Sequence, residues 1–219
     1  AEAFGISNLF NVQGKTAVVS GGGSGIGLMI ATGFVKNGGR VIIASRKEKQ
    51  LKEACDGLNK MGPGKCEYVV ADLGSKAGCD SLSAEVKKRT DKVHVLVNNS
   101  GATWGAPYNE VPEAQGWDKI LALNVKSIFY MTQGLTELLA KDANNIDPGR
   151  VINISSVAGL DPRAEGTGLG ATGTGLWSYN TSKDVQRLWM RGRAQARPYL
   201  LEYQLCPLAA RRRAPSHSP

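Results

Sequence analysis

The sequence predicts an α/β fold, a doubly wound parallel sheet, and three features carry the prediction. Short runs rich in β-branched residues alternate with longer runs of helical periodicity between residues 16 and 155. Several of the short runs are apolar throughout, as strands covered by helices on both faces must be. A glycine-rich turn joins the first strand to the first helix. Strands alternating with helices pair in parallel through right-handed crossovers. In such sheets ligands bind outside the carboxyl ends of the strands.

Residues 16–20 (TAVVS) form a short buried strand, and 26–36 (IGLMIATGFVK) a helix. A second strand covers 40–44. The charged stretch 47–61 is an amphipathic helix with Leu51, Ala54, Cys55 and Leu58 on one face. Residues 66–70 are a third strand and 75–90 a helix. The run 93–98 (VHVLVN) is a fourth strand, a long helical stretch lies within 112–141, and 151–155 is a fifth strand. Beyond these, Val185, Leu188, Trp189 and Gly192 keep helical spacing, so a helix containing Tyr179 is expected to run to about residue 196, where Pro198 stops it. Residues 199–205 are a candidate sixth strand.

At 219 residues the chain suits one domain. No run reaches the ~18 apolar residues of a membrane span, and no basic patch followed by an apolar stretch opens the sequence. Neither a membrane nor a secretory signal is expected. The chain opens at Ala1 without Met, read as removal of Met or as a fragment. Cys55, Cys66, Cys79 and Cys206 show no C-x-x-C pattern, and the only histidines are His94 and His217. No metal site is expected, and free thiols in a reducing cytoplasm follow. Up to Lys183 there are 20 basic and 17 acidic residues; after it there are 7 and 2. The net charge of +8 belongs largely to the C-terminal stretch, so nucleic-acid binding is not expected from it.

The turn after the first strand reads Ser20-Gly21-Gly22-Gly23-Ser24-Gly25-Ile26-Gly27. Glycines let a backbone come close to a pyrophosphate, and a helix N-terminus offers it unpaired N–H groups and a favourable dipole. A glycine cluster alone also fits a plain turn; its place between strand and helix favours a dinucleotide site. Tyr179 and Lys183 are four apart and share one face of a helix. A phenol is largely protonated at neutral pH, and a nearby ammonium favours its ionised form, which suits a general acid/base. His94 lies inside a strand and reads as a core or edge residue.

Together these motifs resemble the short-chain dehydrogenase/reductase family, with its Rossmann-type fold, over about residues 9–183. The glycine loop is similar to T-G-x-x-x-G-x-G, with Ser20 in the Thr place. Asp72-Leu73 resembles the adenine-contacting pair after the third strand. Asn98-Asn99-Ser100-Gly101 resembles N-N-A-G, Asn124 in Leu-Asn-Val the helix Asn of the catalytic tetrad, Ser156 the catalytic Ser, and Tyr179-x-x-x-Lys183 the catalytic Y-x-x-x-K.

The resemblance implies that Tyr179 is the general acid/base and that Ser156 places the substrate oxygen. It gives Lys183 the nicotinamide ribose, and Asn124 a water that continues the proton path. Cofactor contacts are expected from Ser20, Gly21, Gly23, Ser24, Gly25, Ile26, Gly27, Asp72, Leu73, Asn98, Ser100 and Gly101, with Tyr179 and Lys183. NAD-preferring relatives carry an acidic residue at the end of the second strand. Here Ser45 and Arg46 stand there, and a guanidinium forks onto a 2′-phosphate. NADP(H) is therefore expected over NAD(H).

Two regions depart from the family pattern. Between Ser156 and Tyr179 lie 22 residues, among them Gly166, Gly168, Gly170, Gly173 and Gly175. This segment is longer than the resemblance leads one to expect; it either shapes the substrate pocket or is a surface insertion, and Trp104 and Tyr108 are further candidates to line that pocket. After Lys183 the remaining 36 residues lack the expected Pro-Gly, carry only Arg as basic residues and include Arg211-Arg212-Arg213. A changed reading frame or a natural shortened terminus accounts for this, and the first is preferred: codons can be chosen for 191–198 so that a one-nucleotide shift reads as a family-like segment. The Arg/Pro end is expected to be disordered. The resulting expectation is a dinucleotide-binding and catalytic domain over 1–197 and an atypical tail over 198–219.

The expected activity is hydride transfer between NADP(H) and a carbonyl or secondary alcohol, similar to carbonyl and β-ketoacyl reductases. The expected setting is a cytoplasmic homo-oligomer acting on a small molecule, without nucleic-acid or membrane partners. The rival expectation is a cofactor-binding protein impaired in turnover, a sensor or scaffold.

Overall fold

The computed structural model describes residues 10–159, 174–191 and 200–205. In chain order the elements are β1 (Thr16–Ser20), α1 (Gly25–Lys36), β2 (Arg40–Ser45), α2 (Glu48–Leu58), β3 (Lys65–Val70), α3 (Lys76–Arg89) and β4 (Val95–Asn98). Then come β5 (Ala106–Pro107), a helical rod ending in α4 (Ser127–Ala140), β6 (Gly149–Ile154), β7 (Thr174–Gly175), α5 (Trp177–Arg191) and β8 (Leu200–Leu205). The large sheet has the order β3-β2-β1-β4-β6-β8, and all its pairings are parallel. The chain winds outward from β1 to β3 and then crosses to the far side of β1 for β4. That reversal opens a crevice at the carboxyl ends of β1 and β4. The doubly wound fold is as the sequence predicts, including the candidate sixth strand, which pairs with β6 from Gly149↔Leu200 to Ile154↔Leu205.

Period-two alternation divides the strand residues between two cores. Val18, Ile42 and Leu96 face α3 and α4, where they meet Leu82, Val86, Met131 and Leu135. Ala17, Val19, Val41, Ile43 and Val97 face α1 and α2, where they meet Ala31, Val35, Leu51 and Leu58. Each fully buried Val, Leu or Ile contributes about 1.5–3 kcal/mol, so the sheet is held from both faces and its carboxyl edge is left free for chemistry. Cys55, Cys66 and Cys79 are free and buried. Burial pushes all three thiols above their ordinary range, and they serve as small protonated core residues.

The boundaries differ from the sequence expectation where a side chain or a non-local partner intervenes. Helix α2 stops at Leu58 because the Asn59 amide pairs with the β3 backbone: Asn59 Nδ2 donates to Cys66 O at 3.0 Å, and Cys66 N donates to Asn59 Oδ1 at 2.7 Å. Strand β4 begins at Val95, since Val93 N donates to Leu138 O of α4. The rod 113–140 is not one α-helix. It carries two π-turns, Glu113–Asp118 and Ala122–Lys126. The expected tail end 206–219, the 160–173 part of the glycine-rich segment and the expected helix extension 192–196 lie outside the described residues.

His94 supplies a pH-dependent brace at the opposite edge of the sheet. Its Nδ1 accepts from Thr16 N at 3.0 Å, which requires an unprotonated Nδ1. Burial, and then the Lys15 cation, hold its pKa below the ordinary value, against an opposing pull from Asp147. The folded state therefore binds fewer protons than the unfolded state at pH values just below the ordinary histidine pKa of about 6.5. The stabilisation is present above that pH and is lost as pH falls toward the lowered folded value. Urea melts between about pH 7 and 5 are expected to show falling stability, with a flatter dependence in His94→Gln, which keeps an acceptor but does not titrate. Equal slopes for the two proteins would remove His94 from the account.

Candidate active site

The loop after β1 is built for close approach. Gly21 sits at φ 67°, in the left-handed region that glycine enters without strain. A Cβ on Gly27 would fall 2.3 Å from Gly21 O and 2.6 Å from Asn99 Nδ2, so only glycine lets the first turn of α1 lie against the loop. The Ser20 hydroxyl is buried and accepts from Asn99 N (2.9 Å) and Ser100 N (3.0 Å). Asn99 Nδ2 returns a bond to Ser20 O at 3.0 Å. These contacts tie the carboxyl ends of β1 and β4 into one rim.

A cleft of about 330 Å³ runs along that rim. Of the residues expected to bind cofactor, Gly21, Ser24, Ser45, Arg46, Asp72, Leu73, Ser100 and Gly101 line it. Gly25 and Gly27 open α1, with Ile26 between them. Gly23, Gly25, Ile26, Gly27, Tyr179 and Lys183 are not among the lining residues. Ser20 and Asn98 are buried behind the rim, and Asn98 Nδ2 donates to Asn153 Oδ1 at 2.9 Å. The cleft also takes in Asn99 of the Asn98–Gly101 motif, and Lys47, Gln50, Ala71 and Leu123, which were not legible as site residues in any sequence motif. Lys47 beside Arg46 was open to a charge argument. Leu123 reaches the cleft only through the tertiary fold. The end of β2 thus presents Ser45, Arg46 and Lys47 with no carboxylate among them, a donor set that suits a ribose bearing a 2′-phosphate.

Of the four expected catalytic residues, Asn124, Lys183 and Tyr179 gather beside Gly101 at the other end of the cleft, and Ser156 stands in a turn that packs on the Lys183 backbone. Ser156 follows β6, and its Oγ accepts from Ala158 N at 3.2 Å in the short turn Val157–Gly159. That turn packs on α5 so closely that a Cβ on Gly159 would lie 2.7 Å from the Lys183 carbonyl carbon. Lys183 is buried; its Nζ donates to Ile154 O at 2.9 Å and stands 5.6 Å from the Tyr179 ring centroid. Asn124 is wholly buried in the second π-turn. Its Oδ1 accepts from Ala102 N, and its Nδ2 donates to Ala102 O and Ser182 Oγ, all at 2.9–3.0 Å. Gly101 adjoins both: a Cβ there would be 3.4 Å from Asn124 Oδ1 and 3.9 Å from Lys183 Nζ.

Beside this group, β5 pairs antiparallel with β7. Trp177 Nε1 donates to Ala106 O at 3.2 Å, and Tyr108 packs edge-on against the Trp177 ring at 5.3 Å. Tyr108 is largely exposed and Trp104 partly so, and neither is among the residues lining the cleft. No group of three or more His, Cys, Asp or Glu suited to a metal ion occurs among the described residues, and no described helix is long and apolar enough to cross a membrane.

The fold and this rim define a doubly wound dinucleotide-type α/β protein. The chain belongs to the short chain dehydrogenase family, whose profile matches residues 15–185. It is 39% identical over 156 residues to the rhamnolipids biosynthesis 3-oxoacyl-[acyl-carrier-protein] reductase of Pseudomonas aeruginosa, covering 71% of this chain and 60% of that protein. It is 30% identical over 154 residues to the 5-keto-D-gluconate 5-reductase of Escherichia coli K12, covering 69% and 58%. The chain thus spans less than two thirds of the length of these curated relatives. Among solved structures, the Pseudomonas aeruginosa RhlG/NADP active-site complex aligns with a TM-score of 0.74 at 34% identity, over 88% of this chain and 71% of that one. A metagenomic short-chain oxidoreductase in complex with NADP aligns at 0.78 and 27%, over 91% and 84%.

Proposed function

We propose that this protein is an NADP(H)-dependent oxidoreductase that interconverts a ketone and a secondary alcohol. The observation that carries the reading is the gathering of Tyr179, Lys183 and Asn124, with the Ser156 turn packed on Lys183, at the end of the cleft that begins at Ser45 and Arg46. Both named relatives are reductases of oxo or keto compounds, and two of the solved neighbours are NADP complexes, which supports the substrate and cofactor classes.

In this reading Gly21, Ser24 and the N-terminus of α1 hold the pyrophosphate, Asp72 and Leu73 flank the adenine, and Arg46 forks onto the 2′-phosphate. When bound, the nicotinamide supplies or accepts hydride. In the reductive direction Tyr179 gives its Oη proton to the carbonyl oxygen. Ser156 Oγ donates a hydrogen bond to that same oxygen and so places it. Lys183 binds the ribose, and its ammonium stabilises the negative charge left on the Tyr179 oxygen. A homo-oligomer accompanies this reading, as the family resemblance implies, and sedimentation in solution tests it.

The cofactor assignment is tested by fluorescence titration with NADPH and NADH. NADPH is expected to bind more tightly. Arg46→Ala is expected to weaken NADPH by about 10–100-fold, as for loss of a hydrogen bond to a charged group, with little change for NADH. Equal affinities in the unsubstituted chain would refute the preference. Turnover is tested with a 3-oxoacyl thioester and a keto acid of a sugar; tight cofactor binding with no oxidation of NADPH by any ketone would favour a non-catalytic cofactor-binding protein instead.

A further inference from the structure

On helix α5, Tyr179, Lys183 and Gln186 recur at helical spacing (i, i+4, i+7), one stripe of one helix. The first two are assigned above. Gln186 is 2% exposed. Its Nε2 donates to the backbone oxygen of Asn124 at 2.6 Å, while its Oε1 accepts no hydrogen bond. The orientation is dictated by chemistry, since only the NH₂ end of an amide can face a carbonyl. A leucine would fill this volume without burying an unpaired acceptor, so packing alone does not account for a glutamine here.

The partner carbonyl explains it. Asn124 lies in the π-turn Ala122–Lys126, where the ladder widens from i→i−4 to i→i−5 and carbonyls are displaced from their α-helical partners. Two successive carbonyls in this turn take side-chain donors: Leu123 O from Ser127 Oγ, and Asn124 O from Gln186 Nε2. From the same turn the Asn124 side chain clamps Ala102 through both its N–H and its C=O, and reaches Ser182 on α5. Gly101, next to Ala102, faces Lys183 Nζ.

We infer that Gln186 is a positioning residue. It pins the main chain of the π-turn to α5, so that the Asn124 side chain holds the Gly101–Ala102 backbone at a fixed distance from Lys183. Its effect on turnover rests on the proposed function; its effect on the Asn124 clamp does not.

Two variants and two readouts test this. Gln186→Leu keeps the volume and removes the donor. Gln186→Glu donates to Asn124 O when protonated and turns an acceptor toward it when ionised. Hydrogen exchange at the Ala102 amide reports the clamp directly. It is expected to be roughly tenfold faster in Gln186→Leu, the loss of about one net hydrogen bond, while the Val18 and Val97 core amides stay protected. In steady-state reduction by NADPH, Gln186→Leu is expected to lose kcat by a similar factor with KM for the ketone little changed. Gln186→Glu is expected to regain Ala102 protection and kcat at low pH and to lose both through an added ionisation as pH rises. Unchanged Ala102 exchange in Gln186→Leu, or no added ionisation in Gln186→Glu, overturns the inference. If the leucine variant does not fold, the glutamate variant decides alone. If the unsubstituted chain reduces no ketone, the proposed function fails, and Ala102 exchange still decides the role of Gln186.

Discussion

Tyr179→Phe is expected to lower kcat for ketone reduction by about 10²–10⁴-fold, the range for loss of a positioned general acid. NADPH affinity is expected to stay within about threefold, since the substitution removes one hydroxyl and leaves the charge-assisted contacts at Arg46 intact. The physical basis is local. Tyr179 and Lys183 share a helix face, with the ammonium 5.6 Å from the ring centroid, and the phenylalanine ring retains the packing while losing only the proton. Stopped-flow single turnover separates chemistry from release. If the phenylalanine variant keeps most of its single-turnover rate, another group supplies the proton. Lys183→Met gives the complementary result. It is expected to damage cofactor binding as well as chemistry, because it removes the cation assigned to the ribose.

The second large effect is expected at Gly27. A Cβ there would lie 2.3 Å from a backbone oxygen and 2.8 Å from the adjoining carbonyl carbon, both of Gly21. Backbone cannot rotate away as a side chain can. Gly27→Ala must therefore push α1 off the loop, at a cost of about 2–3 kcal/mol as for overpacking in a dense interior. For a domain of this size that lowers Tm by roughly 5–10 °C, and NADPH affinity should fall with it because Gly21 lines the cleft. Gly33, in the same helix, has nothing within 4 Å of its would-be Cβ. Gly33→Ala is expected to raise stability by up to about 1 kcal/mol. Thermal melts of the two variants, moving in opposite directions, check the argument; a Gly27→Ala protein as stable as its parent would contradict it.

Much of the fold was legible because it is written locally. Strand β1 was legible as a buried run of five letters, and the pleat of any strand then sends Val18 to one core and Ala17 and Val19 to the other. The amphipathic face of α2 was equally plain, with Leu51, Cys55 and Leu58 buried as expected. The long helix 112–141 was legible as helix but not as a rod with two π-turns. The second of these turns takes one donor from outside the rod, and that donor, Gln186, lies 62 residues away from the carbonyl it serves.

The candidate site divides in the same way. By itself the sequence determined the glycine loop between strand and helix, the cationic end of β2 and the four-residue spacing of Tyr179 and Lys183. Each of these is a short-range pattern whose geometry follows from one turn or one helix. Only the tertiary structure decided that the Ser20 hydroxyl is turned inward to hold the Asn99 and Ser100 amides, 79 and 80 residues away. Only it decided that Asn124 spends its side chain on Ala102 and Ser182, and that the turn after Ser156 meets the backbone of Lys183. The reason is that a hydroxyl or an amide carries the same letter whether it faces a ligand or a buried backbone group. Which it faces depends on the partner that the packed sheet brings to it.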